Sequence, residues 1–125
     1  MSAVNDLFKA VHHIGYRVED MDRAIAEYQK VLDAPVLRRS TNPRGIPIAF
    51  VQVGANQVEL VGNGQGPDQV MDHVAYAVDD LDAAMAALKA KGAQFESETP
   101  VPGSAPGSKY VFVRLMGARL QVFQP

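Results

Sequence analysis

The chain has 125 residues, 47% of them hydrophobic and 21% charged, with a formal net charge of −2. This is the composition of one compact globular domain, and the charge gives no reason to expect a nucleic-acid or membrane-surface partner. There is no Cys, which excludes disulfides and thiolate metal sites, so a metal must be held by His, carboxylate or amide groups.

The lack of Cys also fits a cytoplasmic location. The opening residues, Met1 to Asp6, do not read as a secretory leader. No apolar run reaches membrane-spanning length.

Taken in order, Asn5–Lys9 predicts a short helical turn. Val11–Val18 alternates as a strand, and Asp20 is placed to cap a helix. Met21, Ile25, Tyr28 and Leu32 then recur at spacings of three and four, which gives one apolar helical face. Pro35 ends that helix, because the residue before a proline is driven away from helical backbone. Val36–Arg39 reads as a short extended segment and Ser40–Pro47 as a loop. Ile48–Val53 and Gln57–Val61 read as a hairpin turning at Gly54 to Asn56.

Gly62–Asp68 is a connector. A second set of elements follows. Met71–Val78 is a strand, Asp80 a cap, and Leu81, Met85 and Leu88 the inward face of a helix that Gly92 closes. Ala93–Ser97 reads as extended and Thr99–Ser108 as a loop. A second hairpin runs over Lys109–Leu115 and Arg119–Phe123, turning at Met116 to Ala118.

The order repeats because the sequence repeats. His13-Ile-Gly-Tyr-Arg-Val-Glu-Asp-Met-Asp-Arg-Ala24 returns sixty residues later as His73-Val-Ala-Tyr-Ala-Val-Asp-Asp-Leu-Asp-Ala-Ala84. Phe50–Val61 aligns without gaps on Phe112–Phe123. The expectation is an α+β fold of two βαβββ modules forming a curled, concave mixed sheet with helices outside. All of it lies in a single domain spanning 1–125, with module one at about 11–61, a connector at 62–70 and module two at about 71–124.

Strand alternation sorts the faces. Ile14, Tyr16, Val18, Val74, Tyr76 and Val78 suit the helix side, as do Val51, Val53, Val58 and Leu60, and Val111, Val113, Leu115, Leu120 and Val122. The other face then carries His13 and Arg17, His73, Phe50, Gln52 and Glu59, and Tyr110, Phe112, Arg114, Arg119, Gln121 and Phe123. Apolar walls with a few converging polar groups suit a small-molecule pocket.

Within that face, His13 pairs with His73 and Glu59 with Gln121 by repeat position. Two imidazoles, one carboxylate and one amide oxygen suit one divalent ion of the Mn, Fe, Co, Ni or Zn type. A single anionic ligand leaves the ion a strong Lewis acid. Each His taken alone reads as a hydrogen-bonded structural residue, and duplication copies packing residues too. His12 reads as a structural or rim residue. Arg17, Arg114 and Arg119 read either as snorkelling at the sheet edge or as binding an anion. Arg38, Arg39 and Arg44 read as solvated, although a basic cluster beside a pocket mouth suits a phosphate or carboxylate.

Paired modules that open on a His strand followed by acids and an amphipathic helix resemble the vicinal oxygen chelate superfamily, which groups glyoxalases, bleomycin-resistance proteins and dioxygenases. The likeness is greatest to methylmalonyl-CoA epimerases, on Asp6-Leu-Phe, His13-Ile-Gly-Tyr, Asn42-Pro-Arg-Gly45, Val58-Glu-Leu-Val61 and His73-Val-Ala-Tyr. The resemblance implies metal ligands at His13, Glu59, His73 and Gln121. It places the proton-moving glutamate at the last of these positions, so that here either Glu59 is the catalytic base or the chemistry differs from that of both the epimerases and the glyoxalase I enzymes. It implies substrate contacts from Arg17, Phe50, Gln52, Tyr110, Phe112, Arg114, Arg119 and Phe123. It also implies a small-molecule substrate such as a CoA thioester, and a homodimer.

Epimerases of this group usually carry a glutamate at the last ligand position, and glyoxalase I enzymes carry one at both hairpin positions. Gln121 departs from both patterns and cannot accept a proton. The reaction implied is epimerisation or isomerisation of an acyl thioester or 2-oxo acid through a metal-stabilised enolate. The alternatives are a glyoxalase I-like lyase, an Fe(II) oxygenase using His13, His73 and Glu59, and a non-catalytic binding member.

Overall fold

A computed structural model describes residues 3–63 and 70–125. Most of the predicted connector lies outside the described residues. Among the described residues, nine strands and two α-helices follow a short 3₁₀ turn, Val4–Leu7. No helix among the described residues is long and apolar enough to cross a membrane. The contacts divide the chain into two compact units. One is His13–Asp72, and the other is His73–Pro125 with the N-terminal residues up to His12.

In the His13–Asp72 unit, β1 (Phe8–Arg17) leads to α1 (Met21–Leu32). The Asp20 side chain caps α1, accepting from the Arg23 N–H at 3.1 Å. The helix ends where Asp33 turns left-handed at φ 51°, one residue before Ala34-Pro35. β2 (Val36–Thr41), β3 (Pro47–Val53) and β4 (Asn56–Val61) follow. The strands run β2-β3-β4-β1. β1 is parallel to β4, and the other pairs are antiparallel.

Alternation works here as expected. Met21 and Ile25 of α1 bury against Val51, Val58 and Leu60 on one face. Ile48, Phe50 and Val61 form a separate cluster on the other. Leu32 does not join the helix face; it is 52% exposed, because it is the last helical residue and Asp33 turns the chain away at once. The predicted loop begins two residues late, since Ser40 and Thr41 extend β2 against Ile48 and Pro47.

In the other unit, β5 (Val70–Val78) leads to α2 (Leu81–Ala90). Asp80 caps α2, accepting from the Ala83 N–H at 3.0 Å. Gly92, at φ 81°, lets its own N–H and that of Ala93 reach the carbonyls of Lys89 and Leu88, a Schellman closure. β6 (Gln94–Phe95), β7 (Val101–Pro102), β8 (Lys109–Leu115) and β9 (Ala118–Gln124) complete it. The order is β5-β9-β8-β6, with β7 also on β8, and β5 is parallel to β9.

The second unit thus repeats the first with one change. Val36 and Thr41 of β2 pair with Val51 and Pro47, and Phe95 and Pro102 pair with Val113 and Lys109, the repeat-equivalent positions. β6 and β7 are therefore β2 split in two. Pro100, which lacks the N–H group a continuous strand would need, lies in the gap between them, and Val101–Pro102 makes part of the predicted Thr99–Ser108 loop a strand.

Leu81, Ala84, Val111, Val113 and Val122 form the core of this unit, with Met85 and Leu88 packed on it. Leu115, expected on the helix side, is 60% exposed at the hairpin end. Leu7 and Phe8 also pack on this core, and Phe8 meets Tyr76 edge-on at 6.1 Å.

Candidate metal-binding site

His13 sits on β1, where the parallel register puts it beside Gln57 and puts Gly15 beside Glu59. Its imidazole is 1% exposed. Nε2 lies 3.7 Å from Oε1 of Glu59, whose side chain is 14% exposed. That gap exceeds a hydrogen bond. It is close to the roughly 3–3.5 Å that separates two atoms each ~2.1 Å from one ion. Phe50 seats the ring, edge to face at 5.2 Å and 85°. On the far side of Phe50 the Arg38 guanidinium lies 4.6 Å from the ring centre. Arg17 Nε stands 3.9 Å from Asp72. Gln52 is turned to the hairpin end, where its Nε2 donates to the Gly54 carbonyl at 3.1 Å.

The second unit repeats this arrangement with different polar groups. His73 is buried and meets Phe112 at 5.2 Å and 78°. Gln121 stands at the position equivalent to Glu59, between Ala75 of β5 and Phe112 of β8. Its Oε1 is buried and has no hydrogen-bond partner among the described residues. An orphaned buried acceptor costs about 1–3 kcal/mol, and a cation is the partner such an oxygen suits. Each unit therefore carries a buried imidazole, His13 or His73, and a hairpin oxygen, from the Glu59 carboxylate or the Gln121 amide, and each of these donor types suits a divalent ion.

Around Gln121, Tyr110 is near-parallel to Phe123 at 6.5 Å, and His12 lies against Phe123 at 4.5 Å. Arg119 covers the Phe112 ring at 3.7 Å. Glu96 engages both expected arginines. Arg119 donates to both its oxygens at 3.0 Å, and Arg114 Nε approaches at 2.6 Å. The hydrogen bonds from Arg119 hold the Glu96 carboxyl below the usual range, against an opposing effect of burial. The sequence reading did not single out Glu96. Its signal was an acid following the apolar Phe95 on a strand that faces two arginines.

Two βαβββ modules, each presenting a buried His and a polar hairpin residue on the face away from its helix, define a class built by duplication. The Glyoxalase/Bleomycin resistance protein/Dioxygenase superfamily description matches residues 12–112, and the chain belongs to that superfamily. Its members typically bind a divalent metal.

A lactoylglutathione lyase of Haemophilus influenzae is 36% identical over 104 residues, covering 74% of this chain and 76% of the relative. An ethylmalonyl-CoA/methylmalonyl-CoA epimerase of Cereibacter sphaeroides is 28% identical over 96 residues, covering 67% and 72%. The crystal structure of methylmalonyl-CoA epimerase from Mycobacterium tuberculosis superposes with a TM-score of 0.87 at 25% identity, over 100% of this chain and 93% of that one.

Proposed function

We propose that the protein is a metal-dependent isomerase that moves a proton at a carbon beside a carbonyl, on an acyl thioester or 2-oxo acid derivative. In this reading His13, Glu59, His73 and Gln121 hold one divalent ion of the Co, Ni, Mn, Zn or Fe type. When bound, it supplies Lewis-acid stabilisation for the charge that develops on the carbonyl oxygen.

The observation that carries the reading is the Glu59/Gln121 difference at equivalent hairpin positions. Gln121 offers a neutral oxygen and cannot take a proton. Glu59 is the carboxylate of the set, half-buried beside His13, so the proton goes to Glu59. His13, seated edge-on against Phe50, lies 3.7 Å from that carboxylate. Strict epimerisation requires proton delivery to both faces of the carbon. No second carboxylate stands on β3, so transfer on one face is the simpler chemistry for this chain.

That asymmetry, with the 36% identity to a lactoylglutathione lyase, favours a second reading. It is a glyoxalase I-like lyase that isomerises the hemithioacetal of a 2-oxoaldehyde and a thiol into a 2-hydroxy thioester. One experiment separates the two. Protein loaded in turn with Co, Ni, Mn, Zn and Fe(II) is incubated in deuterium oxide with methylmalonyl-CoA or with the methylglyoxal–glutathione hemithioacetal. Deuterium at the CoA ester's α-carbon supports the epimerase reading, and thioester formation from the hemithioacetal supports the lyase. Glu59→Gln should slow either by about 100-fold or more. If neither substrate reacts with any ion, the enolisation reading fails.

A further inference from the structure

Each unit seats its buried histidine against a phenylalanine and lays a guanidinium over that ring. Arg38 lies 4.6 Å from the centre of Phe50, the neighbour of His13. Arg119 lies 3.7 Å from the centre of Phe112, the neighbour of His73. The two arginines are not copies of one another. Arg38 belongs to β2, where regular pairing continued from Val36↔Val51 would put Leu37 opposite Phe50. A register shift puts Arg38 there instead, and the exposed Arg39 reaches Asp22 of α1 at 3.1 Å. Arg119 belongs to β9 and aligns with Gln57 in the hairpin repeat. Duplication copies packing residues to equivalent positions, and this layer of cation, ring and imidazole is built from non-equivalent ones.

In the second unit an acid stands beside the ring. The Glu96 N–H donates to the Phe112 carbonyl at 2.9 Å, which ties Glu96 to the residue whose ring is covered. Its carboxylate grips Arg119 in two places, accepting from Nε and Nη2 at 3.0 Å each. Such a pair fixes the plane of the guanidinium as well as its position. The Glu96 and Arg119 side chains are 28% and 20% exposed, so solvent screens them less than an open surface pair. Arg119 shares a face of β9 with Gln121, which pairs with Phe112.

We propose that Glu96 is a positioning residue for the second half of the metal site, holding His73 through Arg119 and Phe112. Glu96 fixes the guanidinium, the guanidinium fixes the ring, and the ring limits the orientations of the imidazole. A side chain ordered before the ion arrives loses less rotamer freedom on binding it. The gain in ion affinity rests on the metal-binding reading; the hold on His73 does not.

The test measures affinity for Zn and Co by competition with a chelating indicator. Glu96→Gln should weaken it about tenfold. Asp22→Asn, which breaks the exposed pair to Arg39, should leave it within about twofold. A lost ion pair that only loosened the fold would act independently of the ring, so the mutation is repeated in Phe112→Leu and in Arg119→Gln. In either background Glu96→Gln should change affinity by less than about twofold. Circular dichroism confirms that each variant is folded, and one folded background suffices. In metal-free protein the His73 ring C–H signals, which report the position of the neighbouring aromatic ring, should move in Glu96→Gln and hold in Asp22→Asn.

Wild-type ion affinity in Glu96→Gln, a full tenfold loss in the Phe112→Leu or Arg119→Gln background, or unmoved His73 signals would overturn the proposal. A wild type that binds neither ion, with His73 signals that still move in Glu96→Gln, would instead reject the metal-binding reading and leave the hold on His73 standing.

Discussion

Gln121→Leu should change the sign of its effect on stability according to whether metal is present. The Gln121 Oε1 atom is buried without a hydrogen-bond partner among the described residues, so in metal-free protein it costs about 1–3 kcal/mol of desolvation with nothing returned. Leu keeps most of the buried volume and removes that acceptor. Loss of the contacts of the amide N–H₂ offsets part of the gain. The net expectation in chelator is a stabilisation of about 0.5–1 kcal/mol, or a midpoint rise of roughly 2–4 °C for a chain of this size.

With metal the balance reverses. At a hundredfold excess over its dissociation constant, an ion stabilises the wild type by about 2.7 kcal/mol. A tenfold weaker site, the least expected on removing a ligand, forfeits about 1.4 kcal/mol of that. Urea unfolding followed by far-ultraviolet circular dichroism, in chelator and in excess Zn or Co, measures both arms. Destabilisation by more than about 1 kcal/mol in chelator would show that Oε1 is already satisfied. Ion-dependent stabilisation equal to the wild type would show that Gln121 is not a ligand.

The other expectations concern the frame of the site. Asp20→Ala and Asp80→Ala should each cost about 1 kcal/mol in urea unfolding, because each removes the acceptor of a first-turn N–H. Leu60→Ala should cost about 2–5 kcal/mol, since Leu60 is fully buried. Leu32→Ala should cost under about 0.5 kcal/mol at its exposed helix end. Glu96 has a depressed folded-state pKa, so its ion pairs are fully stabilising above the ordinary glutamate value of 4.5. That contribution is lost as pH falls from there through the folded pKa. A urea midpoint that drops across this window in the wild type should drop less in Glu96→Gln.

Much of the frame was legible in the sequence because duplication states each signal twice. The two capping aspartates, the two hairpins and the two buried histidines fall where period and repeat put them. What escaped depends on departures from period. The shift at Val36/Arg38 resets alternation, so the inward Arg38 and outward Arg39 looked alike. The stretch 96–100, ending on Pro100, separates β6 from β7, which disguised their equivalence to β2. Glu96 lies just beyond the short β6, where a two-residue strand gives alternation too little length to register. Exposed Leu32 and Leu115 sit at element ends, where the backbone turns away before the periodic face is complete.

The N-terminal segment has a consequence for how such a protein can be taken apart. Leu7 and Phe8 complete the core that α2, β8 and β9 build, and Lys9 reaches Asp79 at 3.5 Å, although more than fifty residues of chain intervene. The compact units part between His12 and His13, within β1 itself. A fragment starting at Val70 would hold a whole βαβββ sequence and still lack a piece of its own interior. A cut at the connector therefore divides the sequence repeat but not the folding units. Joining Pro125 to Met1 and opening the chain between Asn63 and Val70 would keep Leu7 and Phe8 covalently attached to the core they fill.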